Sequence, residues 1–222
     1  MRPITIFHHS CLNINYSHAV ELLQIQIDAL SRYGLLEAAK YLVFCINGTP
    51  RDACIVKSMV PERSEIIVND EAEWGSGEVP TINFLRERIC GCPEHNVLYF
   101  HMKGLSTPRK HPLYQRNRNW MYCMQSVVVL RWRECVYYLE RDRDSCGIHW
   151  KTPEELPGMV TWPYWAGNFW WATQAFLITL PKINTEGHVA GGRYEAEVWI
   201  GKGPRRPKVK DFAAGNRFRC TH

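Results

Sequence analysis

The 222-residue sequence has no apolar run of the roughly 20 residues that a membrane-spanning helix requires. Its N-terminus, MRPITIFHHS, lacks the apolar core of a secretory signal peptide and has the β-branched pattern of a strand. The Gly-rich phosphate loops of P-loop and Rossmann proteins are missing, as are the Gly-x-Ser-x-Gly and His-Glu-x-x-His motifs of hydrolases and zincins. These absences predict a soluble, cytoplasmic protein without a transmembrane segment and argue against several large enzyme classes.

The cysteine spacing of a disulfide-stapled or zinc-binding scaffold is also missing. Nine cysteines, an odd number, are spread thinly along the chain, so we expect most of them to be reduced thiols. The one tight group, Cys90-Gly-Cys92 with His95, has no second pair at zinc-ligand spacing. A structural zinc site is therefore not indicated there.

The composition excludes disorder, because hydrophobic residues make up 45% of the chain and charged residues 22%. The net charge of +5 is unevenly distributed, since residues 201–222 sum to +6 and residues 1–200 to −1. We therefore predict one domain over residues 1–201 and a basic C-terminal tail over residues 202–222 that is suited to an anion contact. A nearly neutral body argues against nucleic acid as the partner.

Strand and helix patterns alternate through the first half of the chain. Apolar and β-branched runs predict strands at 4–8, 41–46, 65–68 and 96–101. Helical periodicity predicts a helix that is capped by Ser17 and stopped at Gly34, a helix from Pro80 to Ile89 and a helix over about 115–140. This alternation predicts the α/β class, with a mostly parallel central sheet flanked by helices in a single domain. Ligands bind such sheets beyond the carboxyl ends of the strands.

The strand end Tyr99-Phe-His-Met-Lys-Gly104 is the first segment that is suited to chemistry. It places the imidazole of His101 and the ammonium of Lys103 next to a turn at Gly104. This arrangement favours a diphosphate or a metal-bound diphosphate as ligand. A polar strand end in water is the alternative.

The segment from Trp162 to Trp171 contains four of the nine tryptophans. Aromatic rings stack on sugars and nucleobases, and the Gly167-Asn168 step allows a close backbone approach beside an amide that bonds hydroxyls. A corner of the core that is wrapped by aromatic residues is the competing interpretation.

The segment from Arg193 to Gly201 places Glu195 and Glu197 among aromatic residues. Desolvation in an apolar setting raises the proton affinity of a carboxylate and makes it usable as a general base. An exposed glutamate on an ordinary helix is the alternative.

These segments together resemble a family of small GT-A-type glycosyltransferases that occurs in bacterial polysaccharide clusters and large algal viruses. The similarity covers roughly residues 4–201. It rests on Gln24 to Gly34, Glu78-Val-Pro-Thr-Ile, Tyr-Phe-His-Met-Lys-Gly, Ala-Gly-Asn-Phe-Trp-Trp-Ala and Tyr-Glu-Ala-Glu-Val-Trp-Ile-Gly. The resemblance implies a GT-A-like fold over residues 1–201 and a hexosyl-type transferase of polysaccharide biosynthesis. It implies a nucleotide-diphospho-sugar donor, with a UDP-sugar favoured, and a glycan hydroxyl as acceptor.

The expected metal motif of GT-A enzymes is replaced in this chain. These enzymes commonly carry Asp-x-Asp at the end of the fourth strand, where it holds the metal on the donor diphosphate, and here that position is His101-Met-Lys103. The resemblance implies a divalent metal in many relatives, so Mn²⁺ or Mg²⁺ at His101 is a candidate cofactor. Metal-independent transfer is left open, because Lys103 and the basic tail are able to neutralise the diphosphate. The literal Asp142-Arg-Asp144 follows a helix and is interpreted as a solvated helix end.

The resemblance and the residue chemistry give a hypothesis for the site. The expected donor-binding residues are His8, His9, Ser10, Asn47, Gly48, His101, Lys103, Gly104, Gly167 and Asn168. Trp165, Trp170 and Trp171 are expected to border the sugar and the acceptor. Glu197, with Glu195 second, is expected to deprotonate the acceptor hydroxyl in an inverting single displacement. The alternatives are a carbohydrate-binding protein without catalysis and a single-stranded nucleic-acid binder.

Overall fold

The computed structural model of the protein describes residues 1–12, 15–69, 77–91, 94–103, 107–184 and 192–214. Its strands are β1 (Ile4–Cys11), β2 (Ala39–Asn47), β3 (Glu65–Asn69), β4 (Asn96–His101), β5 (Ser145–Gly147), β6 (Trp150–Lys151), β7 (Tyr164–Trp165), β8 (Trp170–Thr173) and β9 (Val209–Asp211). Its helices are α1 (Tyr16–Arg32), α2 (Leu35–Ala38), α3 (Pro50–Met59), α4 (Val79–Ile89), α5 (Tyr114–Val128), α6 (Trp132–Leu139), α7 (Gln174–Leu177) and α8 (Gly192–Val198), and a 3₁₀ turn covers Trp199–Gly201. No helix within these ranges is both long enough and apolar enough to cross a membrane.

Seven of the strands form one sheet in the order β3-β2-β1-β4-β8-β5-β9. The pairs β1–β2, β1–β4, β2–β3 and β5–β9 are parallel. Strand β8 is antiparallel to both of its neighbours, β4 and β5. Strands β6 and β7 form a separate two-stranded sheet. The predicted α/β class with a mostly parallel central sheet is therefore confirmed.

The sheet is covered on both faces by apolar side chains. Ile6 of β1 belongs to the cluster that packs against α1, α5 and α6. Its neighbour Phe7 belongs to the cluster on the other face, which includes side chains of α4 and α8. Because successive side chains of a strand point to opposite faces, β1 is buried on both sides, as is usual for a central parallel strand.

The carboxyl ends of β1, β2 and β4 lie level with one another at one edge of the sheet, which we name the carboxyl edge. The register pairs His9 of β1 with Cys45 of β2 and with His101 of β4. Helix α3 begins at this edge directly after β2, where Thr49 and Asp52 form a capping box and Pro50 occupies the first turn. The strand ends that were expected to bind the donor are therefore brought together.

The single helix predicted over about 115–140 is wrong, because the chain turns between α5 and α6. The Val127-Val128-Val129 run contains three β-branched side chains, which lose rotamer freedom in a helix. Beyond it, Arg131 donates two side-chain hydrogen bonds to Glu134 in the first turn of α6. The predicted cap of α1 at Ser17 is also wrong, since Asn15 occupies that position with a φ of 52°.

Part of the predicted basic tail lies in the central sheet. Strand β9 pairs with β5, and Arg205 just before it donates to both carboxylate oxygens of Asp144 at 2.6 and 2.7 Å. Asp144 is therefore a paired carboxylate and not the solvated helix end that was predicted. Arg206 pairs with Glu154. Residues 215–222 of the predicted tail lie outside the described residues.

The cysteines agree with the expectation of mostly reduced thiols. Cys45, Cys54, Cys90, Cys135 and Cys146 are reduced, and Cys123 is in a disulfide. Burial raises the pKa of Cys45 and of Cys146 to about 12. Both thiols are therefore protonated and unreactive near neutral pH.

Candidate functional site

A mostly buried carboxylate, Glu78, connects several elements at the carboxyl edge. Its Oε2 accepts hydrogen bonds from Tyr99 Oη at 2.6 Å and from Asn168 Nδ2 at 2.7 Å. Its Oε1 lies 3.6 Å from Nε2 of His101. Burial, together with the Glu78 charge, raises the pKa of Tyr99 well above its usual range, so its hydroxyl remains a proton donor. Glu78 thus fixes the end of β4 against the turn before β8.

The Gly167-Asn168 step joins this network to Glu197. His101 Nε2 donates to Gly167 O at 2.9 Å, and Gly167 N donates to Glu197 Oε1 at 2.9 Å. Both residues have positive φ angles, 87° for Gly167 and 58° for Asn168. A Cβ at Gly167 would also overlap Met124 Sδ of α5, so the backbone angle and the space both require glycine. The neighbours that approach the backbone closely at this step are protein groups, whereas the predicted approach was to a ligand.

Glu195 and Glu197 line one cavity of about 470 Å³ beside α8. The exposed side chains of Trp162 and Tyr194 and the partly exposed Tyr164 form much of the remaining wall. Burial and, after it, the charge of Glu197 raise the pKa of Tyr164. Carboxylates and exposed aromatic rings therefore meet in one place.

The two glutamates differ in their partners. Glu195 forms an ion pair with Nζ of Lys202. Glu197 accepts the Gly167 N–H at one oxygen, and no other described residue donates to its carboxylate. Glu197 therefore retains an oxygen that is able to accept a proton from a ligand, which favours it over Glu195 as a base.

Trp165, Trp170 and Trp171 have no exposed surface. Their indole N–H groups donate to Ser145 Oγ at 2.9 Å, to Asn168 Oδ1 at 2.8 Å and to Val128 O at 2.7 Å, respectively. Rings without exposed surface do not stack on a soluble sugar in this conformation. The structure therefore places these three residues in the core, in line with the competing interpretation of the tryptophan segment.

Most of the histidine and polar side chains expected to bind the donor are buried and bonded within the protein. His8 contacts Ser10 Oγ and Gln26 Oε1, both at 2.8 Å, on the α1 face of the sheet. His9 contacts Thr81 Oγ1 at 2.8 Å on the α4 face. These contacts hold the strand ends in place.

Two further residues of the expected donor site hold the turn after β2. Asn47 Nδ2 donates to Gly77 O at 2.6 Å. A Cβ at Gly48 would lie 2.7 Å from Asp52 Oδ2, so the capping carboxylate of α3 takes the space beside this glycine. Gly104, also expected in the donor site, lies outside the described residues.

Lys103 is the cation placed best for an anionic ligand. It lies just beyond the end of β4, is partly exposed, and its backbone N–H donates to His101 O at 2.9 Å. No carboxylate of the described residues forms an ion pair with its ammonium group. Its charge is therefore available at the carboxyl edge.

The metal expected at His101 stays a prediction, because the described side chains around it do not by themselves form a metal-binding group. Within the described ranges, no group of three or more His, Cys, Asp or Glu side chains is arranged to hold a metal ion. Nε2 of His101 carries the proton that it donates to Gly167 O, because a carbonyl only accepts, and a protonated nitrogen is not a ligand.

Comparison with known proteins gives limited similarity. No protein-family model matches the chain, and no curated protein does. One similar solved structure is a 4-diphosphocytidyl-2C-methyl-D-erythritol synthase, 11% identical with a TM-score of 0.47, covering 95% of this chain and 89% of that one. Another is a protein described as a nucleotide-diphospho-sugar transferase from Desulfovibrio desulfuricans G20, 9% identical with a TM-score of 0.41, covering 95% of this chain and 80% of that one.

Sequence reasoning did not single out Glu78, Trp162 or Tyr194 as individual site residues. The sequence around Trp162 indicates an exposed position, because Pro163 follows it and it lies outside the strands and helices. Trp165, Trp170 and Trp171 lie in β7 and β8. A tryptophan outside regular structure is less readily covered by a neighbouring strand or helix.

Buried neutral histidines predict a loss of stability in acid. Burial lowers the pKa of His8 and of His9 from 6.5 to about 4. Between those values the unfolded chain binds protons that the folded chain does not, so the free energy of unfolding falls as the pH falls through this window. Each histidine contributes up to about 3 kcal/mol to that loss, at roughly 1.4 kcal/mol per pKa unit.

Urea denaturation from pH 7 to pH 4 measures this loss. The wild-type free energy of unfolding is expected to decrease steeply below pH 6.5. His8→Asn and His9→Asn should each give a shallower pH dependence, whatever their stability at pH 7. The same slope in both variants as in the wild type would contradict the account.

Proposed function

We propose that the protein transfers a sugar from a nucleotide-diphospho-sugar to a hydroxyl group of a glycan. The observation that carries the proposal is the carboxylate of Glu197, which is held at one oxygen by Gly167 N–H and lines an aromatic cavity at the carboxyl edge. A general base beside exposed aromatic rings is suited to activating a sugar hydroxyl. A carbohydrate-binding protein needs the rings but not a positioned base.

The donor is proposed to lie along the carboxyl edge. A second cavity, of about 350 Å³, lies between the ends of β2 and β3 and helix α4, and its walls include Asn69 and Phe84. An aromatic ring beside a side-chain amide is suited to a nucleobase. The diphosphate would then reach Lys103 at the end of β4, whose charge would stabilise the leaving group without need of a metal at His101. We propose uridine as the nucleoside of this donor.

The proposed reaction is a single displacement. Glu197 takes the proton of the acceptor hydroxyl as the acceptor oxygen forms a bond to C1 of the donor sugar. The bond between C1 and the diphosphate oxygen breaks, and the nucleoside diphosphate leaves with the bonding electrons beside Lys103. Attack on the face opposite the leaving group inverts the configuration at C1. Glu195, which is paired with Lys202, is the second candidate for the base.

Replacing Lys103 tests the donor site. Lys103→Ala is expected to weaken binding of UDP-glucose and of UDP by about ten- to a hundredfold, because a hydrogen bond to a charged group is worth about 1.5–3 kcal/mol. Isothermal titration calorimetry measures both affinities. Lys57→Ala, an exposed lysine on α3, removes the same charge away from the site and should leave them unchanged. Equal affinity of wild type and Lys103→Ala for nucleotide would refute the diphosphate role.

A further inference from the structure

Positive charge is concentrated in one part of the chain, and the proposed reaction uses only one of its cations, Lys103. Residues 95–133 contain seven Lys and Arg and no Asp or Glu. Four of these basic residues precede α5 or lie in its first turns. Together they form what we name the basic surface: Arg109, Lys110, Arg116 and Arg118. Residues 1–200 sum to −1, so those outside 95–133 sum to −8. The positive charge of the body is therefore local.

The basic surface lies beside the carboxyl edge. Helix α1 follows the end of β1, and the ring of His18 in its first turn lies 5.3 Å, centroid to centroid, from that of Tyr114 at the start of α5. The start of α5 is therefore at the same edge as the strand ends.

Helix α5 also connects the basic surface with the cavity of Glu197. Arg116 and Trp120 are four residues apart and share one face of the helix. Trp120 borders Gly167, because a Cβ there would lie 2.8 Å from its Nε1. Gly167 N in turn holds Glu197. The face of α5 that carries Arg116 is thus linked through Trp120 and Gly167 to Glu197.

The charge of the basic surface is poorly compensated. Glu21 is the only carboxylate among the described residues that pairs with it, and it contacts both Arg109 and Arg118. Lys110 and Arg116 are exposed and form no ion pair with any described residue. Arg116 lies in the first turn of α5, which contains no acidic residue and where the helix dipole disfavours a cation. A bound anion would relieve this repulsion.

We propose that the basic surface binds carboxylate groups of an acidic acceptor glycan, so that uronate units next to the reacting hydroxyl are held by Lys110 and Arg116. This proposal rests on the proposed function. Arginine and lysine pair readily with carboxylates, and such contacts orient a chain whose hydroxyl is to reach Glu197. Single-stranded nucleic acid is the competing polyanion, and the near-neutral total charge of residues 1–200 argues against a nucleic-acid-binding face.

The test compares probes of different charge on one double variant, Lys110→Gln with Arg116→Gln. Affinities are measured for an oligogalacturonate of about ten units, a maltodextrin of equal length and a dT ten-mer, at low and moderate salt. The wild type is expected to bind oligogalacturonate at least tenfold more tightly than maltodextrin, and the double variant to lose about tenfold for oligogalacturonate. The matched control, Arg51→Gln with Lys57→Gln on exposed positions of α3, should lose less than twofold.

Three results would overturn the proposal. They are no preference for oligogalacturonate over maltodextrin, an equal loss in the two double variants, and tighter binding of dT that depends on Lys110 and Arg116. Circular dichroism and thermal unfolding establish that the variants are folded. Titration of UDP-glucose into the same variants separates this proposal from the proposed function, because donor binding involves Lys103 and is expected to be retained here. Loss of donor binding as well would also count against the proposal, because the effect of the double variant would then not be confined to the acceptor.

Discussion

Replacing Glu197 with Gln is expected to lower the turnover number for sugar transfer by about 10²–10⁴-fold, the usual contribution of a general base. The amide oxygen of glutamine is still able to accept the Gly167 N–H, so the geometry of the turn before β8 is retained. The amide does not take up a proton from an acceptor hydroxyl, so the chemical step is lost while binding remains. Initial rates with the nucleotide sugar that binds best measure the effect.

The matched control is Glu195→Gln, on the same helix and at the same cavity. Because Glu195 pairs with Lys202, this change is expected to cost less than about tenfold in turnover and to act mainly on the local ion pair. Near-normal transfer by Glu197→Gln would contradict its role as the base. A large loss in Glu195→Gln alone would move that role to Glu195.

Replacing Trp170 with Ala is expected to lower the free energy of unfolding by about 3–5 kcal/mol, the usual cost of truncating a buried aromatic residue. The indole of Trp170 is fully buried, stacks on Tyr99 at a centroid distance of 5.1 Å and donates to Asn168 Oδ1. Its loss therefore creates a cavity and also leaves the Asn168 oxygen without that donor. Urea denaturation measures the difference.

Trp162→Ala gives the opposite expectation and serves as the control. Trp162 is 42% exposed, so its truncation should cost less than about 1 kcal/mol of stability but weaken binding of oligosaccharides. Unchanged stability of Trp170→Ala together with lost sugar binding would restore the interpretation of Trp170 as a ligand-facing residue.

The first four strands and the fold class could be predicted, because local patterns dominate in that part of the chain. Strand β4 was predicted at the residues where it is found, because its apolar run is bounded by polar residues. The strand lies between β1 and β8 in the sheet. Strand β9 was not predicted. It has three residues and is held by pairing with β5, more than 60 residues away in the sequence, and a local pattern carries no sign of that contact.

The candidate site was less accessible from the sequence. Glu195 and Glu197 line one cavity and Lys103 follows the end of β4, and the roles expected of them stay predictions. The role of Glu78 could not be inferred, because it depends on Tyr99 and Asn168, which are 21 and 90 residues away in the sequence. The number of tryptophans in their segment indicated an aromatic site, but which rings face solvent is decided by the pairing of β8 with β4 and β5.

The most direct test of the central claim is a thermal-shift panel of UDP-, GDP-, dTDP- and CMP-sugars on the unaltered protein, with and without manganese. A ligand at a hundred times its dissociation constant adds about 2.7 kcal/mol to the stability of the folded state. For a chain of this size that corresponds to a rise in Tm of about 5–10 °C. We expect one class of nucleotide sugar to give such a rise and its free sugar to give none. If neutral oligosaccharides raise the Tm and no nucleotide sugar does, the result would contradict the account and indicate a carbohydrate-binding protein.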